Sequence, residues 1–89
     1  MKAEIFKHSQ WVEETDPNKL KEIFSGLLYL SDFCVLNFQE HYFKLQGWTG
    51  LWLLSESHLA IHTFPEENKS YIELSSCNEK KQFFFISNI

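Results

Sequence analysis

The stretch from Asp16 to Leu28 constrains the chain more than any other, because it reads as a helix with a single apolar side. Asp16 and Pro17 form an N-cap and first-turn pair: the carboxylate can accept orphan amides, and proline has no amide to lose. Behind them Leu20, Ile23, Phe24, Leu27 and Leu28 recur at the spacing of one helical face, with Lys19, Lys21, Glu22 and Ser25 elsewhere. A helix with one apolar stripe has to lie on something flat.

The flat partner is legible as short runs rich in β-branched and aromatic residues: Cys34 to Phe43, Thr49 to Glu56, His58 to Phe64, Ser70 to Cys77 and Gln82 to Ser87. Turn signals separate them: "LQGW" around Gly47, "PEENKS" after Pro65 and "NEKK" after Cys77. The segment from Ala3 to Glu14 is a weaker strand candidate. With no internal repeat, linker or low-complexity segment, the expectation is one α+β domain over residues 1–89: an antiparallel sheet with one helix packed on one face. A chain of 89 residues buries a modest share of its surface and gains from a partner subunit. Nine Phe in a chain that is 17% aromatic add ring surface suited to an interface or a stacking pocket, although core filling is the commoner use.

A formal net charge of −4 without a basic cluster argues against nucleic acid and anionic membranes as partners. The N-terminal residues lack the apolar run of a signal peptide, and no stretch approaches the ~20 apolar residues of a membrane span. Cytoplasmic residence is the expectation. Cys34 and Cys77 make neither a disulfide framework nor a CxxC pair and read as free thiols.

Strand parity sorts the polar residues, since side chains alternate between faces. Leu59 and Ile61 share one face, and Ile72 and Leu74 do likewise; these aliphatic faces should meet the helix. His58, Ala60 and His62, with Tyr71, Glu73, Ser75 and Cys77, then fall on the uncovered face, where parity puts His62 and Cys77 together. A metal site of His58, His62, His41 and Cys77 is disfavoured, because i and i+4 along a strand lie ~13 Å apart. A Ser-His hydrolase lacks the Gly-x-Ser-x-Gly elbow. Taken alone, the cluster would be ordinary polar residues on an exposed sheet face.

The longer pattern is more specific. "SESHLAIHTFPE" (Ser55 to Glu66), preceded by "GWTG" (Gly47 to Gly50) and followed by "SSC" ending at Cys77, resembles the prokaryotic S-adenosylmethionine decarboxylase proenzyme family. That family carries a Glu-Ser-His-x-x-x-His-Thr-x-Pro-Glu segment and then a Thr-Cys pair. The resemblance implies self-cleavage between Glu56 and Ser57, giving a β chain of residues 1–56 and an α chain of residues 57–89 that begins with a pyruvoyl group made from Ser57. His62 falls on the family's proton carrier for processing, Thr49 on a position that assists it, and Cys77 on the thiol that protonates the decarboxylated carbon. These types suit a nucleophile beside a basic group, an imidazole titrating near neutrality and a proton donor. The pyruvoyl ketone acts in the family as a Schiff-base electron sink, so no diffusible cofactor and no metal are implied.

Phe43 and Phe64 lie near positions where the family stacks adenine, and Glu66 follows Pro65 as in the family, near the substrate. Core packing and a turn carboxylate are the alternative readings of these residues. His41 matches a family histidine. The resemblance further implies a homodimer whose sheets meet face to face over His62 and Cys77, and a product that donates aminopropyl groups for spermidine synthesis. Against the family pattern Asn78 replaces a glycine and the N-terminal strand differs, and the expectation after Cys77 is a last strand without the family's further helix and final strand. Two alternatives follow: a non-processing paralogue that partners a full-length decarboxylase, and a decarboxylase of another amino acid such as ornithine or arginine.

Overall fold

The computed structural model describes residues 3–89, so Met1 and Lys2 of the expected domain lie outside the described residues. Strand β1 (Phe6–Val12) leads into helix α1 (Pro17–Leu30), followed by β2 (Val35–Tyr42), β3 (Trp48–Leu54), β4 (Ser57–Phe64), a 3-10 turn at Pro65–Glu67, β5 (Lys69–Ser76) and helix α2 (Glu79–Ser87). The five strands form one sheet in the order β1-β5-β4-β3-β2, antiparallel at every pairing. An α+β fold follows, as the sequence predicts, including the weak strand candidate at the N-terminal side.

The α1 start is the expected one, with Asp16 Oδ1 accepting from Asn18 N at 3.3 Å and Pro17 in the first turn. Leu20, Phe24, Leu27 and Leu28 are buried, against Trp48, Trp52 and Leu54 of β3, Leu59 and Ile61 of β4, and Ile72 and Leu74 of β5. Ile23 stays 52% exposed, so the buried stripe is narrower than its periodicity suggests. Two large indoles fit on β3 because Gly50 lies between them on the covered face; a Cβ there would collide with the ring of Trp48. Trp48 and Trp52 then find polar partners for their ring N–H groups, Glu40 at 2.9 Å and Ser25 at 3.2 Å.

Residues Gln82–Ser87, expected as a strand, are helical. The run "QFFFIS" has no alternation to mark it as amphipathic, and only Gln82 and Phe85, three apart on one helical face, are buried, whereas Phe83 and Phe84 are exposed. Asn78 caps the helix by accepting from Lys81 N at 3.0 Å. Phe85 packs at 6.0 Å from Phe24 and 6.4 Å from Phe33, measured between ring centroids. The helical layer of the described residues therefore contains two helices rather than one: against expectation a helix does follow Cys77, and α2 covers sheet surface that α1 leaves open.

Among the described residues the other face of the sheet carries no helix. Its exposed apolar side chains include Trp11, Leu51 and Leu53, each between 41% and 50% exposed. Among the described residues no helix is long and apolar enough to cross a membrane.

Candidate active site

The ladder register fixes which side chains share a row on the open face. Trp11 pairs with Tyr71, Tyr71 with His62, His62 with Thr49 and Thr49 with His41, so five side chains from five strands cross the sheet in one line. Within that line Thr49 Oγ1 and His62 Nδ1 are 2.9 Å apart. The bond is possible because these residues are direct cross-strand partners on one face. It fixes the orientation of the imidazole.

Beside this pair lies a cavity of about 280 Å³ lined by Phe43, Gly47, Thr49, His62, Phe64 and Glu66. Gly47, at φ 102, lets the β2–β3 connection fold back so that Phe43 N reaches its carbonyl at 2.9 Å. The structure thus gathers five of the expected site residues, Phe43, Thr49, His62, Phe64 and Glu66, at one end of the sheet. Trp11 and Lys69, not singled out in the sequence, extend this end: Trp11 lies edge-on to Phe64 and Tyr71, with centroids 5.8 Å and 5.3 Å away, and Lys69 Nζ sits 4.2 Å from the centre of the indole. His41 packs edge-on to Phe43 at 4.7 Å.

The remaining residues lie at the opposite end. Ser55 and Glu56 make the tight turn between β3 and β4, and Glu56 takes the left-handed conformation at φ 58. Ser57 follows and is buried at 8% exposure. Parity turns Ser57 to the covered face, in the row Phe6–Ser76–Ser57–Leu54, and its Oγ donates to Ser76 Oγ at 3.2 Å. Just past β5, the exposed Cys77 donates from Sγ to Glu56 Oε2 at 3.3 Å. That hydrogen bond, the largest influence, together with desolvation and the carboxylate charge, raises the thiol pKa above its ordinary value.

Two expectations are corrected by this arrangement. His62 and Cys77 are not together: His62 pairs with Tyr71, and Cys77 lies six positions further along, ~20 Å at strand rise. The chemistry-bearing residues are also not confined to the open face, since Ser57 turns under the helices. Parity is correct about alternation but carries no information on distance along a strand. Among the described residues no three His, Cys, Asp or Glu side chains converge as a metal site would need. Ser76 is the residue that sequence reasoning missed, and its only signal was its place before Cys77.

Comparison with known proteins adds to this geometry. A family model described as S-adenosylmethionine decarboxylase matches residues 9–85. Curated S-adenosylmethionine decarboxylase proenzymes resemble the chain from Sulfurihydrogenibium (34% identity over 73% of this chain and 49% of the relative) and from Prochlorococcus marinus (46% over 52% and 37%). A Bacillus cereus protein named S-adenosylmethionine decarboxylase proenzyme 2 is 51% identical over 48% of this chain and 35% of its own length. The chain spans about half the length of these curated relatives, or less. The crystal structure of the adenosylmethionine decarboxylase from Aquifex aeolicus superposes with a TM-score of 0.79, covering 99% of this chain and 78% of that one at 20% identity, a likeness of fold. With the family model covering the sheet from β1 to α2 and the proenzyme motif placed in a strained hairpin turn, the chain belongs to the S-adenosylmethionine decarboxylase family.

Proposed function

We propose that this protein is a pyruvoyl-dependent decarboxylase of S-adenosylmethionine that matures by cutting its own chain between Glu56 and Ser57. The observation that carries this reading is the β3–β4 turn: a buried serine follows a residue held at φ 58, and a thiol bonds to that residue's carboxylate. Small size at position 57 and a carbonyl immediately before it suit conversion of the serine to a pyruvoyl group. Such a group supplies a ketone that condenses with an α-amine and draws electrons from the carbon that loses carbon dioxide.

The chain's own residues divide the remaining work. Ser57 Oγ attacks the Glu56 carbonyl carbon and needs a group to take its proton. Cys77, kept protonated by Glu56, is suited to deliver a proton to carbon after decarboxylation. His62, oriented by Thr49, is suited to carry protons during processing. Phe43 and Phe64 offer flat apolar surface to an adenine ring, and Glu66 offers a negative charge to the sulfonium cation. Decarboxylated S-adenosylmethionine would then serve as an aminopropyl donor for spermidine synthesis, and residence in the cytoplasm belongs to the same reading.

Assembly follows from the spacing. Within one copy, Ser57 and His62 lie five positions apart on β4 with opposite parity, ~17 Å along the strand. A two-fold partner applied open face to open face, with its strands reversed, would bring the Thr49–His62 end of one copy over the Glu56–Cys77 end of the other. It would also cover Trp11, Leu51 and Leu53. The homodimer is thus part of the proposed site.

Intact mass of purified protein under denaturing conditions tests the proposal. Two fragments divided between Glu56 and Ser57, the second blocked at its N-terminus, are expected, together with carbon dioxide release from S-adenosylmethionine. Only the intact 10.6 kDa chain after long incubation would sink the enzyme reading in favour of a non-processing partner. Release from ornithine or arginine instead would move the substrate.

A further inference from the structure

The hydroxyl of Ser57 is held by a second serine. Ser76 is the direct cross-strand partner of Ser57 in the β4–β5 ladder, is fully buried, and accepts the Ser57 hydroxyl at 3.2 Å. Its own oxygen is tied down as well, accepting Asn78 N at 2.9 Å and donating to Asn78 O at 3.4 Å. Asn78 is the N-cap of α2, with Oδ1 accepting from Lys81 N at 3.0 Å. A continuous set of hydrogen bonds therefore runs from the start of α2 through Ser76 to the nucleophile.

This arrangement limits what the Ser57 side chain can do. A free serine samples three staggered rotamers, and attack on the preceding carbonyl is available to few of them. Donation to Ser76 restricts the side chain to rotamers that keep Oγ within reach of Ser76. Ser76 cannot serve as the base, because its own hydrogen is directed at a backbone carbonyl, which does not take up a proton near neutrality.

We propose that Ser76 is the positioning residue for self-cleavage: its buried hydroxyl fixes the rotamer from which Ser57 attacks Glu56. The proposal rests on the reading of Ser57 as the nucleophile. In the step concerned, the Ser57 Oγ–Glu56 C bond forms, the Glu56 C–Ser57 N bond breaks, and the proton leaving Oγ is balanced by one gained on the nitrogen, giving an ester. The ester then loses the Ser57 Cα proton and the Cβ–Oγ bond, releasing the Glu56 carboxylate and dehydroalanine. Dehydroalanine takes up water and releases ammonia to leave the pyruvoyl terminus. Ser76 acts on the first of these steps only.

The test follows cleavage of the full chain by intact mass, with circular dichroism and thermal melting on each sample. Ser76→Ala should cleave about tenfold more slowly, the size expected for losing one buried hydrogen bond in the attacking geometry. Ser76→Thr, which keeps the hydroxyl, should restore most of the rate, and this rescue separates positioning from general loosening of α2. Hydroxylamine supplies a second readout, because it intercepts the ester to give a Glu56 hydroxamate and a free Ser57 amine. If Ser76 governs ester formation, hydroxylamine leaves Ser76→Ala slow; restoration of the parent rate would place Ser76 in the elimination and overturn the proposal. Unchanged or faster cleavage by folded Ser76→Ala would also overturn it. If the parent chain itself never cleaves, the reading of Ser57 as nucleophile falls and takes this proposal with it, an outcome distinct from a cleaving parent with an equally fast variant.

Discussion

The two ends of the sheet are built for different work. At one end Phe43, Phe64, Glu66, Thr49 and His62 surround an open cavity, and the imidazole is bonded to Thr49 through one ring nitrogen. At the other, Ser57 is bonded to Ser76 and Cys77 to Glu56 beside a tight turn, with Ser57 buried. The first end is a receptacle, the second a sprung joint. A strand length separates the two clusters, and in the proposed reading each is one half of a site completed by a second copy.

The largest effect is expected at the turn. Ser57→Ala should abolish cleavage outright, as measured by intact mass, whereas Cys77→Ala should still be cut, at most a few-fold more slowly, and then fail to release amine product cleanly. Equal loss in both would break the division of labour between the two side chains. Sharper still is a mixture of Ser57→Ala and His62→Ala chains, co-expressed with different tags. If His62 of one copy serves Ser57 of the other, the His62→Ala chain should be cut in the mixture, though neither variant is cut alone. Absence of cutting in a demonstrated mixed dimer would confine each copy to its own residues.

A smaller effect concerns the thiol. Because Glu56 favours the protonated form of Cys77, the thiolate fraction should stay low through neutral pH and rise only above the ordinary thiol range. In the uncleaved Ser57→Ala background, Glu56→Gln should therefore speed iodoacetamide labelling of Cys77 several-fold at pH 8, read by peptide mass. Thr49→Val at the far end should leave that labelling rate unchanged. An equal response to both would mean the two ends communicate within one copy. The smallest change is Asp16→Ala, which removes the α1 cap at a cost of ~1 kcal/mol and should lower the melting temperature while sparing the relative rates at both ends.

What the sequence disclosed follows from the range of each signal. The start of α1 was legible because Asp16, Pro17 and the apolar stripe are neighbours along the chain. The helical state of "QFFFIS" was not, since three consecutive Phe look alike to any periodicity, and only the cover needed by Phe24 and Phe33 separates Phe85 from its neighbours. Alternation placed His62 on the open face correctly. It could not reveal that Cys77 is remote, because position along the strand depends on the pairing of His62 with Tyr71, a contact between distant segments. The pairing of Ser76 was hidden for the same reason: it stands opposite Ser57, 19 residues earlier.

The strand order β1-β5-β4-β3-β2 carries a consequence for the proposed cut. Severing the chain between Glu56 and Ser57 assigns β4, β5 and α2 to one piece, and β1, α1, β2 and β3 to the other. The β4–β5 hairpin of the shorter piece is flanked on one side by β1 and on the other by β3, both from the longer piece. The two products are dovetailed rather than stacked, and neither has an edge along which it could simply peel away. Breaking that one covalent bond would therefore leave a molecule that behaves as a single body, and separately made halves should find each other by closing the same seam.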